Sequence, residues 1–244
     1  MKLLVNIYLI GCEFSGKTTL AGKIIAWQNE HMSGTRPGLH FHDHFTIPNT
    51  EMNAESRQWF VKAPPQIKEM YQRFMITYHM QPDAYQRPDW HHLGFFIEEA
   101  VYAPLYYGYG GQDNKAGFRS EEGQRTKMAR QFEQDILQYA PNMVLVLLKA
   151  DADVIRQRMA ENKNRTGRDG VDLKAETNEP VRGVVQDKDV DYVLRRFEEE
   201  FKASLFKNKI ILDTSCVTVE ETFKEFLEKH DPFLLEKDRK RLCG

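Results

Sequence analysis

Three cysteines in 244 residues, Cys12, Cys216 and Cys243, are too few and too scattered for a disulfide framework or for metal-ligand spacing. Free thiols in a reducing compartment are expected, and the cytoplasm is the expected location. Net charge is nearly absent, at −2 at pH 7. That balance gives no bulk attraction for nucleic acid, so no stable nucleic acid partner is expected. Long hydrophobic runs are also missing, which argues against a membrane-spanning helix and a membrane partner. Internal repeats are absent. The basic tail Lys237-Asp238-Arg239-Lys240-Arg241 reads as a solvated chain end.

Residues 11 to 18 read Gly-Cys-Glu-Phe-Ser-Gly-Lys-Thr, the pattern G-x-x-x-x-G-K-[ST] of a phosphate-binding loop. Glycines let successive backbone N–H groups turn toward phosphate oxygens. Lys17 brings positive charge to the β and γ phosphates, and Thr18 offers a hydroxyl to Mg²⁺. The context fits. Residues 3 to 10 form a short, mostly apolar run suited to a buried parallel strand. Thr18 to Gln28 reads as a helix with Leu20, Ile24 and Trp27 on one stripe. The same apolar start resembles a lipoprotein signal ending at Cys12, but it is short, broken by Asn6, and cleavage would remove Gly11. The expected nucleotide contacts are Gly11, Cys12, Glu13, Phe14, Ser15, Gly16, Lys17, Thr18 and Thr19.

Further strands are expected at Leu39 to Phe45, Leu93 to Glu98, Met143 to Leu148 and Ile210 to Leu212. Helical stretches separate them, so the expected class is α/β, a parallel sheet covered on both faces. Ligands bind beyond the carboxyl ends of such strands, where Asp43, Glu98, Glu99 and Asp213 would stand. One domain over 1–244 is the simplest organisation. An acceptor-side helical insertion is expected at about 48–90, with its second helix starting at Pro64-Pro65. Ile67, Met70, Tyr71, Phe74 and Tyr78 share one face of that helix, with core packing as the default and an acceptor pocket as the alternative. The polar stretch at about 161–188 reads either as a lid, with Arg165 and Arg168 swinging onto phosphates, or as an ordinary solvated loop. Val190 to Phe206 reads as a helix with Val193, Leu194, Phe197, Phe201 and Leu205 inward.

Several stretches resemble the thymidylate kinase and deoxynucleoside kinase branch of the phosphate-loop kinases. Phe96-Ile97-Glu98-Glu99-Ala100-Val101-Tyr102 is similar to the family's strand ending in Asp/Glu-Arg-Tyr/Ser. Ala140-Pro141-Asn142-Met143 with the following strand, then Asp153-Val154-Ile155-Arg156-Gln157-Arg158, resembles its segment leading into the lid. Lys209 to Ser215 and then Val219-Glu220-Glu221-Thr222 resembles its last strand and adenine-side loop. The resemblance implies a three-layer fold with a five-stranded parallel sheet of order 2-3-1-4-5 and a lid. It also implies transfer of the γ-phosphoryl group of ATP, with Mg²⁺, to a nucleoside or nucleoside monophosphate. By the same resemblance, Ser215, Cys216 and Val217 would face adenine. Two departures stand out. Glu99 occupies the place of the family's arginine. Phe41-His42-Asp43-His44-Phe45-Thr46 looks more like the Asp-x-Phe motif of uridine-kinase-like and small-molecule phosphotransferases.

Phosphoryl transfer needs alignment and charge neutralisation more than covalent help. Thr18 and Glu98 are the expected Mg²⁺ ligands, Glu98 through water. Asp43 is the first candidate to accept the acceptor's proton and Glu99 the second. Tyr102 and Tyr106, in an aromatic and glycine-rich stretch, either stack a flat acceptor or pack a loop. Arg73, Phe74 and Arg119 complete the candidate acceptor side. His40, His42 and His44 alternate on one strand face, and a polar edge fits them better than a metal. A guanine-specific switch would need N/T-K-x-D, and Leu148-Lys149-Ala150-Asp151 lacks its first residue. A helicase core or basic face is missing as well. The partner expected is a small-molecule phosphate acceptor, with a homodimer as an option. A non-nucleoside hydroxyl acceptor is the alternative substrate.

Overall fold

The computed structural model describes residues 6–32, 53–82, 85, 91–111, 124–162 and 185–242. Strands β1 (Ile7–Ile10), β2 (His91–Leu93), β3 (Val144–Lys149) and β4 (Asn208–Asp213) form one parallel sheet in the order β2-β1-β3-β4. Helices α1 (Lys17–His31), α2 (Ala54–Lys62), α3 (Pro65–His79), α4 (Phe95–Tyr102), α5 (Gln124–Tyr139), α6 (Ala152–Asn162), α7 (Val190–Ala203), α8 (Val219–His230) and α9 (Glu236–Leu242) surround it. The sheet has four strands, not the expected five, among the described residues. Its order is that expected once the second strand is left out, and that strand's segment, Leu39 to Phe45, lies outside the described residues.

Alternation along the strands explains the layers. Tyr8, Ile10, Leu145 and Leu147 point to one face and join Phe96, Ile136, Ile155, Val193 and Phe197 from α4 to α7. Ile7, Leu9, Val144, Val146, Ile210 and Leu212 point to the other and meet Leu20, Ala21 and Ile24 of α1 and Phe226 of α8. Both faces are dry, which is why β1 and β3 are almost continuously apolar. Each fully buried Leu or Ile contributes roughly 1.5–3 kcal/mol.

Three expectations are corrected. Leu93 to Glu98 is not a strand: β2 ends at Leu93, and Phe95 to Tyr102 is helical. A short apolar run does not distinguish a buried helix from a strand. Here Gly94 (φ +66°) turns the chain, and Tyr8 fixes the turn, its hydroxyl donating to Gly94 O (2.8 Å) and accepting from Ile97 N–H (3.1 Å). The stripe of α3 faces outward, with Met70, Phe74 and Tyr78 61%, 64% and 62% exposed, while Lys68, Glu69, Gln72 and Ile76 are buried. Core packing therefore holds for Tyr71, which packs on Phe60, but not for Met70, Phe74 and Tyr78, because periodicity gives a face but not its direction. Finally, the helix from Val190 stops at Ala203, and Leu205 lies beyond it, exposed. Its N–H is taken by Glu133 Oε2 (2.7 Å).

Candidate active site around the phosphate loop

Residues 11 to 16 join the end of β1 to the start of α1. Gly11 has φ +149°, and a Cβ there would lie 2.4 Å from Leu148 O of β3, so only glycine fits the approach. Gly16 (φ +97°) and Phe14 (φ +66°) complete the curl. The N-terminus of α1 carries no side-chain cap. Helix α8 contrasts with it: Thr218 accepts from Glu221 N–H (3.2 Å) and Glu221 Oε2 accepts from Thr218 N–H (2.7 Å). The N-cap Gly16 of α1 thus provides no side-chain cap of the kind Thr218 gives α8, which leaves the helix start open to an anion.

Lys17 Nζ folds back over the loop, donating to Gly11 O (2.6 Å) and Cys12 O (3.2 Å). It also pairs with Glu98 Oε1 at 2.8 Å, and both side chains are buried. Glu98 comes from the first turn of α4 rather than from a strand end. Its carboxyl lies over Gly94, where a Cβ would approach within 2.0 Å of Glu98 Cδ. Thr18 is half-buried and Thr19 exposed at the start of α1. Among the described residues, no group of three or more His, Cys, Asp or Glu is placed to hold a metal. Burial pushes the Cys12 thiol up to about 12 against the pull of Lys17, so it is protonated at neutral pH and not a nucleophile.

The outer side of the loop is bolted to distant segments. Arg158 of α6, a residue not singled out from the sequence, donates to Phe14 O (3.1 Å), Thr214 Oγ1 (3.1 Å) and Thr214 O (2.5 Å). The Thr214 hydroxyl donates to Ser15 O (3.0 Å). The loop after β4 is thereby held beside the phosphate loop. Within it, Ser215 donates to Asp213 Oδ1 through N–H and hydroxyl (2.9 and 2.6 Å), which holds the Asp213 carboxyl below its ordinary range. Ser215, Cys216 and Val217 lie at the surface of this loop. A cavity of about 230 Å³ opens at the carboxyl end of β3, bordered by Cys12, Lys149, Asp151, Asp191 and Phe197, the end of a parallel strand where ligands bind.

On the α4 side, Glu99 is buried against α5. Its Oε1 accepts from Arg125 Nη1 (3.1 Å) and the Tyr109 hydroxyl (3.0 Å), and Glu69 Oε1 stands 3.9 Å from Arg125 Nη2. Burial raises the Glu99 carboxyl, partly offset by Arg125 and Tyr109. Gly110 makes room for this arginine, since a Cβ there would meet Arg125 Cγ at 2.1 Å. Tyr102 is fully buried, its hydroxyl accepting from Glu13 N–H (3.1 Å). Tyr106, on a π-helical turn Ala103–Tyr107, bonds to residues 186 and 189. Arg73 is half-buried and Phe74 exposed on α3. Asp43, Arg119, Arg165 and Arg168 lie outside the described residues, as do His40, His42, His44 and most of 161–188. No described helix is long and apolar enough to cross a membrane.

No protein-family model and no curated protein matches the chain. Solved structures do. A deoxyadenosine kinase from M. mycoides, determined with dCMP and dCDP, superposes with a TM-score of 0.50 at 12% identity, covering 93% of this chain and 98% of that one. A thymidylate kinase from Ehrlichia chaffeensis gives 0.47 at 12% identity, with 93% and 98% covered. A sugar kinase from Janibacter sp. HTCC2649 gives 0.41 at 14%, with 96% and 99% covered. The first of these carries the assignment of fold, the other two being looser superpositions. The chain shares its fold with that deoxyadenosine kinase.

Proposed function

We propose that this chain is an ATP-dependent kinase that transfers the γ-phosphoryl group to a small-molecule acceptor, a nucleoside or a nucleoside monophosphate. The observation that carries the reading is the ion pair of Lys17 with Glu98 at the uncapped start of α1. It joins a phosphate-binding cation to a carboxylate of the kind that serves Mg²⁺. The fold shared with a deoxyadenosine kinase supports a nucleoside-type acceptor.

In this reading the loop N–H groups and Lys17 hold the phosphates, Lys17 exchanging its carbonyl partners for phosphate oxygens. The oxygen donors Thr18 and Glu98 would hold a hard cation such as Mg²⁺, which keeps several waters. Bound there, Mg²⁺ supplies neutralisation of the developing phosphate charge. Thr214, Arg158 and residues 215–217 form the adenine side. Glu99 is already engaged by Arg125 and Tyr109; Asp43 is the proposed base for the acceptor, with Arg165 and Arg168 as proposed phosphate clamps. A non-nucleoside hydroxyl acceptor is a second reading. The observation behind it is Glu99, which fills the place of the family's arginine and is tied to Arg125 from another helix.

The test is ADP release with ATP or GTP, alone and with a panel of nucleosides, nucleoside monophosphates and other alcohols. Release that depends on a nucleoside-type acceptor supports the proposal. Lys17→Ala should lower it by about a hundredfold or more in a protein that still folds, with a lowered melting temperature because the buried Glu98 loses its partner. GTP-selective tight binding with no acceptor dependence would overturn it.

A further inference from the structure

Glu13 and Tyr106 meet a stretch of backbone that the reaction above does not use. Glu13 N–H donates to the Tyr102 hydroxyl (3.1 Å), and Glu13 Oε2 accepts from Val185 N–H (3.0 Å). One residue on, Gln186 N–H donates to the Tyr106 hydroxyl (3.1 Å), which itself donates to Asp189 Oδ2 (3.1 Å). Arg156 of α6 then pairs with Asp187 (3.4 Å) and Asp191 (2.5 Å). Gln186 is extended (φ −93°, ψ 149°) and belongs to no strand, so a sheet does not satisfy these two donors. Val185 N–H is received instead by Glu13 of the phosphate loop, and Gln186 N–H by Tyr106 of the turn after α4. Val185 is buried, and a buried donor left without an acceptor is costly.

We propose that Glu13 of the phosphate loop and Tyr106 of the turn after α4 are positioning residues that fasten Val185–Asp189, and that Glu13 links nucleotide binding at the loop to the placement of the segment entering α7. Phosphates held by the loop fix the backbone at Glu13, and with it the position of Oε2. The coupling is reciprocal, since whatever loosens Val185 weakens the conformation that phosphate selects. It also reaches the site from a second side. Phe197 of α7 places its ring 6.0 Å from Lys17 Nζ and edge-on to Tyr102 at 5.6 Å. The linkage rests on the ATP-binding reading, whereas the fastening does not.

Amide hydrogen exchange at Val185 and Gln186, followed by NMR in the full chain with and without a non-hydrolysable ATP analogue and Mg²⁺, tests both. Exchange in the wild type should be slow and should slow further with nucleotide. Glu13→Ala should speed exchange at Val185 by about tenfold or more, raise the nucleotide Kd, and shrink the protection that nucleotide adds. Glu13→Gln keeps an acceptor oxygen and should restore all three. Tyr106→Phe should act in the same way at Gln186. Unchanged exchange in both Glu13→Ala and Tyr106→Phe overturns the fastening. Faster exchange with unchanged nucleotide affinity overturns the linkage. A raised acceptor KM with unchanged exchange overturns both and assigns Glu13 to the acceptor. If the wild type binds no ATP, the kinase reading falls together with the linkage, and the exchange rates still decide the fastening.

Discussion

Gly94 has φ +66°, and the position its Cβ would take lies 2.0–2.4 Å from the carboxyl atoms of Glu98. Gly94→Ala must therefore either open the turn or push the carboxylate away from Lys17. A left-handed non-glycine residue costs about 1–3 kcal/mol, and a loss of that size should appear in urea denaturation. Turnover should fall, and Glu98→Gln should lower it in the same way. Wild-type turnover in Gly94→Ala would show that the carboxylate does not need this position. The curl of residues 11 to 17 was legible in the sequence because it is local: Lys17 Nζ meets Gly11 O and Cys12 O within six positions, where spacing alone encodes the shape. Arg158 was not. Its acceptors, Phe14 O and the oxygens of Thr214, are 144 and 56 positions away, and only the folded sheet brings them together. Arg125 was missed for the same reason, since nothing local ties it to Glu99.

Among the elements, β1, α1, β3, α7 and β4 were readable to within a few residues at each end, because the continuous apolar runs of β1 and β3 and the helical stripes match their burial. Helix α4 was not, because all of Phe95 to Tyr102 is buried and a helix buried all round has no stripe. The orientation of α3 was lost differently. Its inward face carries Lys68, Glu69 and Gln72, whose burial depends on partners such as Arg125 and the Tyr107 ring from other elements. Helices α5 and α7 show the same principle at larger scale. Glu200 is buried and takes Thr126 Oγ1 (2.6 Å) and Arg196 Nη2 (2.7 Å), with Arg130 Nη1 at 3.3 Å. Glu200→Ala would leave two half-buried guanidinium groups without this carboxylate. We expect a cost of about 3 kcal/mol or more, read as a lowered urea midpoint. The fraction that remains folded should still bind nucleotide.

Across the whole molecule, the layer of α1 and α8 closes one face of the sheet, and a histidine sits in it. His230 ends α8, is 4% exposed, and stacks on Phe226 at 5.0 Å with the rings 21° from parallel. Burial pushes its imidazole down to about 4 from an ordinary value of 6.5, with Asp231 pulling weakly the other way. The sign follows from linkage. The unfolded chain takes up this proton near pH 6.5, whereas the folded chain resists until about pH 4. The contribution to stability is thus fully present above pH 6.5 and is lost as the pH falls through that window. A displacement of this size amounts to about 3 kcal/mol. His230→Leu removes the titrating group and keeps the position apolar. Urea midpoints measured at pH 7, 5.5 and 4 should fall less steeply in the variant, and the gap at pH 4 should approach that figure. Acidification loosens α8 from α1 and β1 on the face opposite α4 and α7. Wild-type protection factors at core amides, corrected for the intrinsic slowing of exchange in acid, should therefore fall together across the sheet, as in global unfolding. Parallel pH profiles for the wild type and the variant would show instead that His230 protonates without cost in the folded protein.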